Sequence, residues 1–243
     1  MARRIAHPDG AERYVRHAAR HAAASTAGHE TGGISDGMSA RFPCIVLARH
    51  GQTAWSLTGR HTGMTDLPLT ECGENDARRL GERLKGRRFA AVFASPLQRA
   101  WRTCELAGFA GQARVDADLV EWNYGAYEGM TPEEIRRKRP DWEIFRDGCP
   151  QGESLAHLAA RAERVLARVY PTDGDVLLFS SGHFLRVLAA RWLRLDAAEG
   201  RRLFLDTATL SILGYHHDAQ DPVIFLWNER VRGSRPGEPN DDH

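Results

Sequence analysis

From residue 43 onward, short apolar runs alternate with amphipathic segments. Residues 44–48, 89–94, 176–180, 210–215 and 223–227 are apolar along most of their length and are the size of buried strands. Between them lie helical signals. Ser95-Pro96 sets a capping residue before a proline at the first helical position, and Gly108 follows the last turn. Thr131-Pro132-Glu133-Glu134 reads as a capping box with proline in the same place. Leu155, Leu158, Ala162, Val165, Leu166 and Val169 recur at helical spacing, which predicts a helix from Ser154 to Tyr170.

Strands that are apolar throughout and separated by helices predict an α/β fold, a three-layer α/β/α sandwich with a mostly parallel, Rossmann-like sheet. In such sheets, ligands bind beyond the carboxyl ends of the strands. Residues 1–41 are rich in Ala, Arg, His, Gly and Ser without apolar periodicity. They predict a poorly ordered or partly helical extension, and Met38 is an alternative start. The domain is expected over 42–230, with a flexible tail over 231–243. His7, His17, His21 and His29 in the extension match no tight metal-ligand spacing.

Composition narrows the function. A 42% hydrophobic fraction in 243 residues suffices for one buried core. Lys and Arg nearly balance Asp and Glu, leaving a net charge of +1, so neither nucleic acid nor a membrane surface is an expected partner. Any anion site must be a local cluster. Cys44, Cys72, Cys104 and Cys149 form no CxxC pair, and no stretch approaches the roughly 20 apolar residues of a membrane span. Together with the lack of a secretory signal, this leads to an expected cytoplasmic location. Ala- and Leu-rich stripes allow a homodimer without requiring one.

The first strand runs directly into Arg49-His50-Gly51-Gln52-Thr53, and the second ends in Ser95-Pro96-Leu97-Gln98-Arg99-Ala100. Two guanidinium groups and an imidazole therefore converge where an α/β sheet binds ligands. With these stand Thr58-Gly59-Arg60-His61-Thr62-Gly63, Asp66-Leu67-Pro68-Leu69-Thr70 and Glu121-x-x-x-Gly125-x-x-Glu128-Gly129. In this order the motifs resemble the histidine phosphatase, or phosphoglycerate mutase-like, superfamily over about residues 43 to 228.

The resemblance implies that His50 is a nucleophile that carries a phosphoryl group. It also implies that Arg49 and Arg99 clamp phosphate oxygens and hold His50 unprotonated, and that Glu121 is the proton donor. Glu128, in the same motif, reads as a supporting carboxylate. The hydroxyls of Thr53 and Ser56 are candidate phosphate contacts, although Ser56 stands where many members have asparagine. Arg60 and His61 are candidate substrate contacts.

Leu178-Phe179-Ser180-Ser181-Gly182-His183-Phe184-Leu185-Arg186 departs from the family, which has a second catalytic histidine where this chain has Ser181. Ser181 and Gly182 are candidate phosphate contacts. His183, two residues on, either fills the vacant role by reaching back across Gly182 or only forms the wall of the pocket.

Gly125-Ala126-Tyr127-Glu128-Gly129 is more similar to the phosphatases than to the mutases. Trp55-Ser56, Thr62-Gly63-Met64-Thr65-Asp66 and Trp142-x-x-x-Arg146-Asp147-Gly148-Cys149 are similar to the sugar-bisphosphatase type. For a bisphosphate, Arg60, Arg136, Arg137 and Lys138 are candidates for the second phosphate. The expected activity is hydrolysis of a small phosphorylated metabolite, with no metal and no cofactor. Mutase activity and a catalytically weak, phosphate-binding pseudophosphatase are the alternatives.

Overall fold

The computed structural model describes residues 42–230. The expected extension and tail, with Met38, lie outside the described residues.

Six strands form one sheet in the order β3-β2-β4-β1-β5-β6: β1 Ile45–Arg49, β2 Ala91–Ala94, β3 Ala113–Val115, β4 Val176–Ser180, β5 Thr209–Tyr215 and β6 Pro222–Arg230. β3, β2, β4 and β1 pair in parallel, whereas β5 runs antiparallel to both β1 and β6. The helices are α1 Ala54–Leu57, α2 Glu71–Leu84, α3 Gln98–Leu106, α4 Pro132–Arg136, α5 Ile144–Asp147, α6 Leu155–Val169 and α7 Gly182–Trp192.

The two-residue period of the strands sorts the core into two layers. Ile45, Leu47, Val176 and Leu178 pack against Leu158, Ala162, Val165 and Leu166 of α6 and against Phe184, Leu185 and Leu188 of α7. On the other face, Val46, Ala48, Leu177 and Phe179 meet Leu80 and Leu84 of α2 and Cys104 of α3. Each fully buried Leu or Phe stabilises the fold by about 1.5–3 kcal/mol relative to exposure. β1 and β4 are therefore anchored on both faces, and their carboxyl ends form a rigid base for whatever follows.

Several local expectations are corrected. α3 begins at Gln98, not Pro96, because the Ser95 hydroxyl accepts only from Leu97 N–H. The helix is instead capped from a distance, its Gln98 N–H donating to Asp66 Oδ1 at 2.8 Å. β2 begins at Ala91, and β6 continues to Arg230. β3 was not predicted, because three residues, Ala-Arg-Val, of which two are exposed, carry no periodic signal. Ser154 does cap α6, and Thr131 with Glu134 forms the capping box of α4. Among the described residues, no helix is long and apolar enough to cross a membrane.

Candidate active site

β1 delivers Arg49 and His50 to the crevice. His50 N–H donates to Ser180 O at 3.0 Å, extending the pairing with β4, while His50 O accepts from Ala208 N–H at 3.0 Å. The next peptide is fixed as tightly, with Gly51 N–H donating to Thr103 Oγ1, which itself donates to Arg99 O. A side chain at Gly51 has no room, since a Cβ there would lie 2.4 Å from Gly73 O.

His50 Nδ1 stands 2.7 Å from Gly51 O, so it carries the proton and leaves the Nε2 lone pair open. Burial, then the charges of Arg99 and Arg49, push the His50 pKa well below its usual range, against a smaller opposing effect of the Gly51 carbonyl. The imidazole is consequently neutral at neutral pH.

Arg99 sits in the first turn of α3, fully buried. Its Nη1 donates to Thr65 O and its Nη2 to Thr62 O and Gly63 O, at 2.8–3.0 Å. Those carbonyls are themselves held in place by Glu128, whose Oε1 accepts from Gly63 N–H and Thr65 N–H. Glu128 thus orients Arg99 through the backbone of residues 62–65.

Arg49 Nη1 donates to Leu205 O, and its guanidinium lies against Gly182, where a Cβ would come within 3.1 Å of Cζ. Burial lowers the pKa of both arginines, with Glu121 opposing.

Ser181 occupies the cap position of α7 without capping it. Glu121 does that work: its Oε1 accepts from Phe184 N–H and Trp122 N–H, and its Oε2 from His183 N–H at 3.0 Å. The Ser181 hydroxyl is left buried and unpartnered, as are Arg49 Nε and Arg99 Nε. Buried polar groups without partners are costly, so three around one neutral imidazole mark a place for an anionic ligand with several acceptor oxygens.

The remaining sequence candidates fall elsewhere. Thr53 and Ser56 cap α1 reciprocally, and the Ser56 hydroxyl both accepts from Thr53 N–H and donates to Thr53 O. Its capacity is therefore committed to the helix rather than held open for phosphate. Arg60 forks onto Glu134 at 3.0 and 3.1 Å and also donates to Gly129 O. Arg136 Nε donates to Trp142 O.

His183 Nδ1 pairs with Tyr124 OH at 2.7 Å, its ring packed beside Trp122, Phe145 and His61. That arrangement sets it in an aromatic wall, with Nδ1 committed to Tyr124. His61 is buried and stacks on Tyr124 with ring centroids 4.6 Å apart.

Two contributors escaped the sequence reading. Tyr124, inside the Glu121 motif, is the partner of His183. Its pKa is raised well above the ordinary range, by burial first and then by Glu121, so the phenol stays protonated. Arg161 donates to the carbonyls of Asp118, Val120 and Glu121 and pairs with Glu153, which fixes the loop that carries Glu121. The signal was available, because position 161 falls on the apolar stripe of α6, where an arginine is out of place.

A family model described as the histidine phosphatase superfamily (branch 1) matches residues 45–230. The chain is 41% identical over 192 residues to an acid phosphatase of Mycobacterium tuberculosis, covering 77% of this chain and 94% of that protein. It is 37% identical over 191 residues to a sedoheptulose 1,7-bisphosphatase of Saccharomyces cerevisiae, covering 65% and 70%. The solved structure of an open reading frame from Mycobacterium tuberculosis superposes with a TM-score of 0.74 at 38% identity, covering 78% of this chain and 99% of that one.

Proposed function

Because the chain belongs to the histidine phosphatase superfamily, we propose that it is a metal-independent phosphomonoester hydrolase that forms a phosphohistidine at His50. The observation that carries this reading is the set of orphaned donors, Arg49 Nε, Arg99 Nε and Ser181 Oγ, around a histidine held neutral with Nε2 open.

His50 Nε2 attacks phosphorus, the N–P bond forms and the P–O bond to the alcohol breaks. The leaving oxygen takes a proton from Glu121, whose Oε2 accepts only the His183 N–H and so keeps room for another partner. Water then gives a proton to the ionised Glu121 and attacks phosphorus, so that an O–P bond forms as the N–P bond breaks, which restores both His50 and Glu121 and releases phosphate. Charge on the transferring group is met by Arg49 and Arg99 in place of a metal ion, and no cofactor takes part.

The names of the relatives, an acid phosphatase and a sugar bisphosphatase, support small phosphorylated sugars as substrates. Of the four candidates for a second phosphate, Arg60 is tied to Glu134 and Arg136 to the Trp142 carbonyl, which leaves the exposed Arg137 and Lys138.

Phosphate release from sugar phosphates, sugar bisphosphates, phosphoglycerates and an aryl phosphate, all in EDTA, tests the reading. His50→Ala is expected to lower turnover by roughly 10⁴-fold or more and to abolish an acid-labile phosphoenzyme. Turnover that survives His50→Ala, or that needs added metal, would sink it.

A second reading rests on Ser181, which offers a hydroxyl where the family has a charge-bearing histidine: a phosphate binder with little chemistry. That reading expects Ser181→His alone to release phosphate while the wild type releases none.

A further inference from the structure

β5 and β6 are joined by a tight turn, His216 to Asp221, far from the crevice. Leu213 pairs with Ile45 at the amino end of β1, and His50 follows its carboxyl end. The turn is built, not loose. His216 N–H donates to Asp221 O, Asp221 N–H to Asp218 O, and Gln220 N–H to Asp218 Oδ1. Ala219 is buried in the same core cluster as Trp192 and Tyr215, which pins the tip of the turn to the body of the protein.

On the outer side stand His216, His217 and Asp221. In this turn the two imidazoles share one side, with ring centroids 3.8 Å apart. His216 Nδ1 lies 3.6 Å from Asp221 Oδ2, and one ligand atom from each of the three side chains falls within 4.8 Å of the others. A simple ion pair needs one histidine and one carboxylate. A second imidazole adds nothing to an ion pair, but two ring nitrogens and a carboxylate oxygen this close can share one cation.

We propose that His216, His217 and Asp221 bind a divalent d-block cation, Zn²⁺ in the first place, as a clasp on the β5–β6 turn. Two imidazole nitrogens and a carboxylate oxygen form a donor set suited to zinc and poorly suited to Mg²⁺ or Ca²⁺. Bonds of about 2.0–2.2 Å bring tetrahedral ligands to roughly 3.4 Å apart, so the widest spacing must close by about 1.4 Å. Rotation of the two exposed histidines provides that movement. Water completes the shell. Since β6 lies at the sheet edge, the clasp would resist fraying there and leave catalysis untouched.

Calorimetric titration of the full, untagged chain with ZnCl₂ tests this, together with the visible d–d spectrum of the Co²⁺-loaded protein. Histidines at 7, 17, 21 and 29 and the exposed Cys72 are further ligands in the chain, so the comparison with His217→Ala and Asp221→Asn decides. The expected result is one micromolar-range equivalent in the wild type that weakens by about 10–100-fold in each variant, with phosphate release unchanged. Hydrogen exchange over residues 214–223 should slow with zinc in the wild type only. Identical zinc binding in wild type and both variants, or no binding up to about 100 μM, well short of the affinities of built zinc sites, overturns the proposal.

Discussion

Arg99 and Arg161 are both buried arginines, and the contrast between them separates what this molecule uses to fold from what it holds ready for a ligand. Arg161 has every nitrogen engaged, bonding three carbonyls and Glu153. Arg99 is fully buried too, yet its Nε has no partner, and the same holds for Arg49 Nε and Ser181 Oγ nearby. Between these two arginines, full satisfaction marks the one that builds the scaffold. An unpaired buried donor beside a neutral imidazole marks a binding place, because only a ligand can offset the cost of leaving it dry and unbonded.

The contrast is sharpest under substitution. Arg161→Met leaves the partly buried Glu153 without its ion-pair partner and frees three carbonyls, so denaturant unfolding should show a loss of about 3 kcal/mol. Arg99→Gln should act on the other axis, lowering kcat/KM by roughly 10²–10³-fold. Inorganic phosphate should raise the Tm of the wild type and fail to raise that of Arg99→Gln. If Arg161→Met lost only activity, or Arg99→Gln only stability, the distinction between satisfied and orphaned arginines would collapse.

A smaller effect concerns the histidines. Burial is the main cause that lowers the pKa of His50, His61 and His183; for His61, Glu128 opposes burial and Arg136 reinforces it, leaving it at about 4. A histidine whose pKa falls on folding binds its proton more readily in the unfolded chain. Stability is therefore full above the ordinary value near 6.5 and declines as pH drops toward the folded value. For His61 the window runs from about 6.5 to about 4 and is worth at most roughly 3 kcal/mol. Urea midpoints at pH 7, 5.5 and 4.5 should fall in that order, and His61→Phe, which keeps the stacking on Tyr124, should flatten the slope. A slope unchanged in His61→Phe would mean that other groups set the acid limit.

Legibility in the sequence followed the same division. The strand-end placement of Arg49 and His50, the first-turn position of Arg99 and the helix of Leu155–Val169 were readable because period and spacing determine them. Hydroxyl roles were not. Ser95 looks like a helix cap and only bonds Leu97 N–H, whereas Ser181 sits at a cap position and is released from it by Glu121, 60 residues earlier. Asp66 capping α3 and Tyr124 holding His183 are likewise long-range choices that no local pattern announces. The direction of β5 depends on which strand it returns to, which apolar content does not reveal.

The smallest expected effect tests that division at a hydroxyl. The resemblance to the family marks Ser56 as a phosphate contact, while the geometry ties it to the backbone of Thr53 in a reciprocal cap. If the cap is its whole role, Ser56→Ala costs about 0.5–2 kcal/mol of stability and leaves KM and kcat within about twofold, since α1 frays without moving Arg49, Arg99 or His50. If Ser56 turns to the phosphate once substrate enters, KM rises by roughly 10–100-fold, the worth of one hydrogen bond to a charged group, and Ser56→Asn restores it. Stability and KM read on the same variant distinguish a hydroxyl that builds the site from one that touches its ligand.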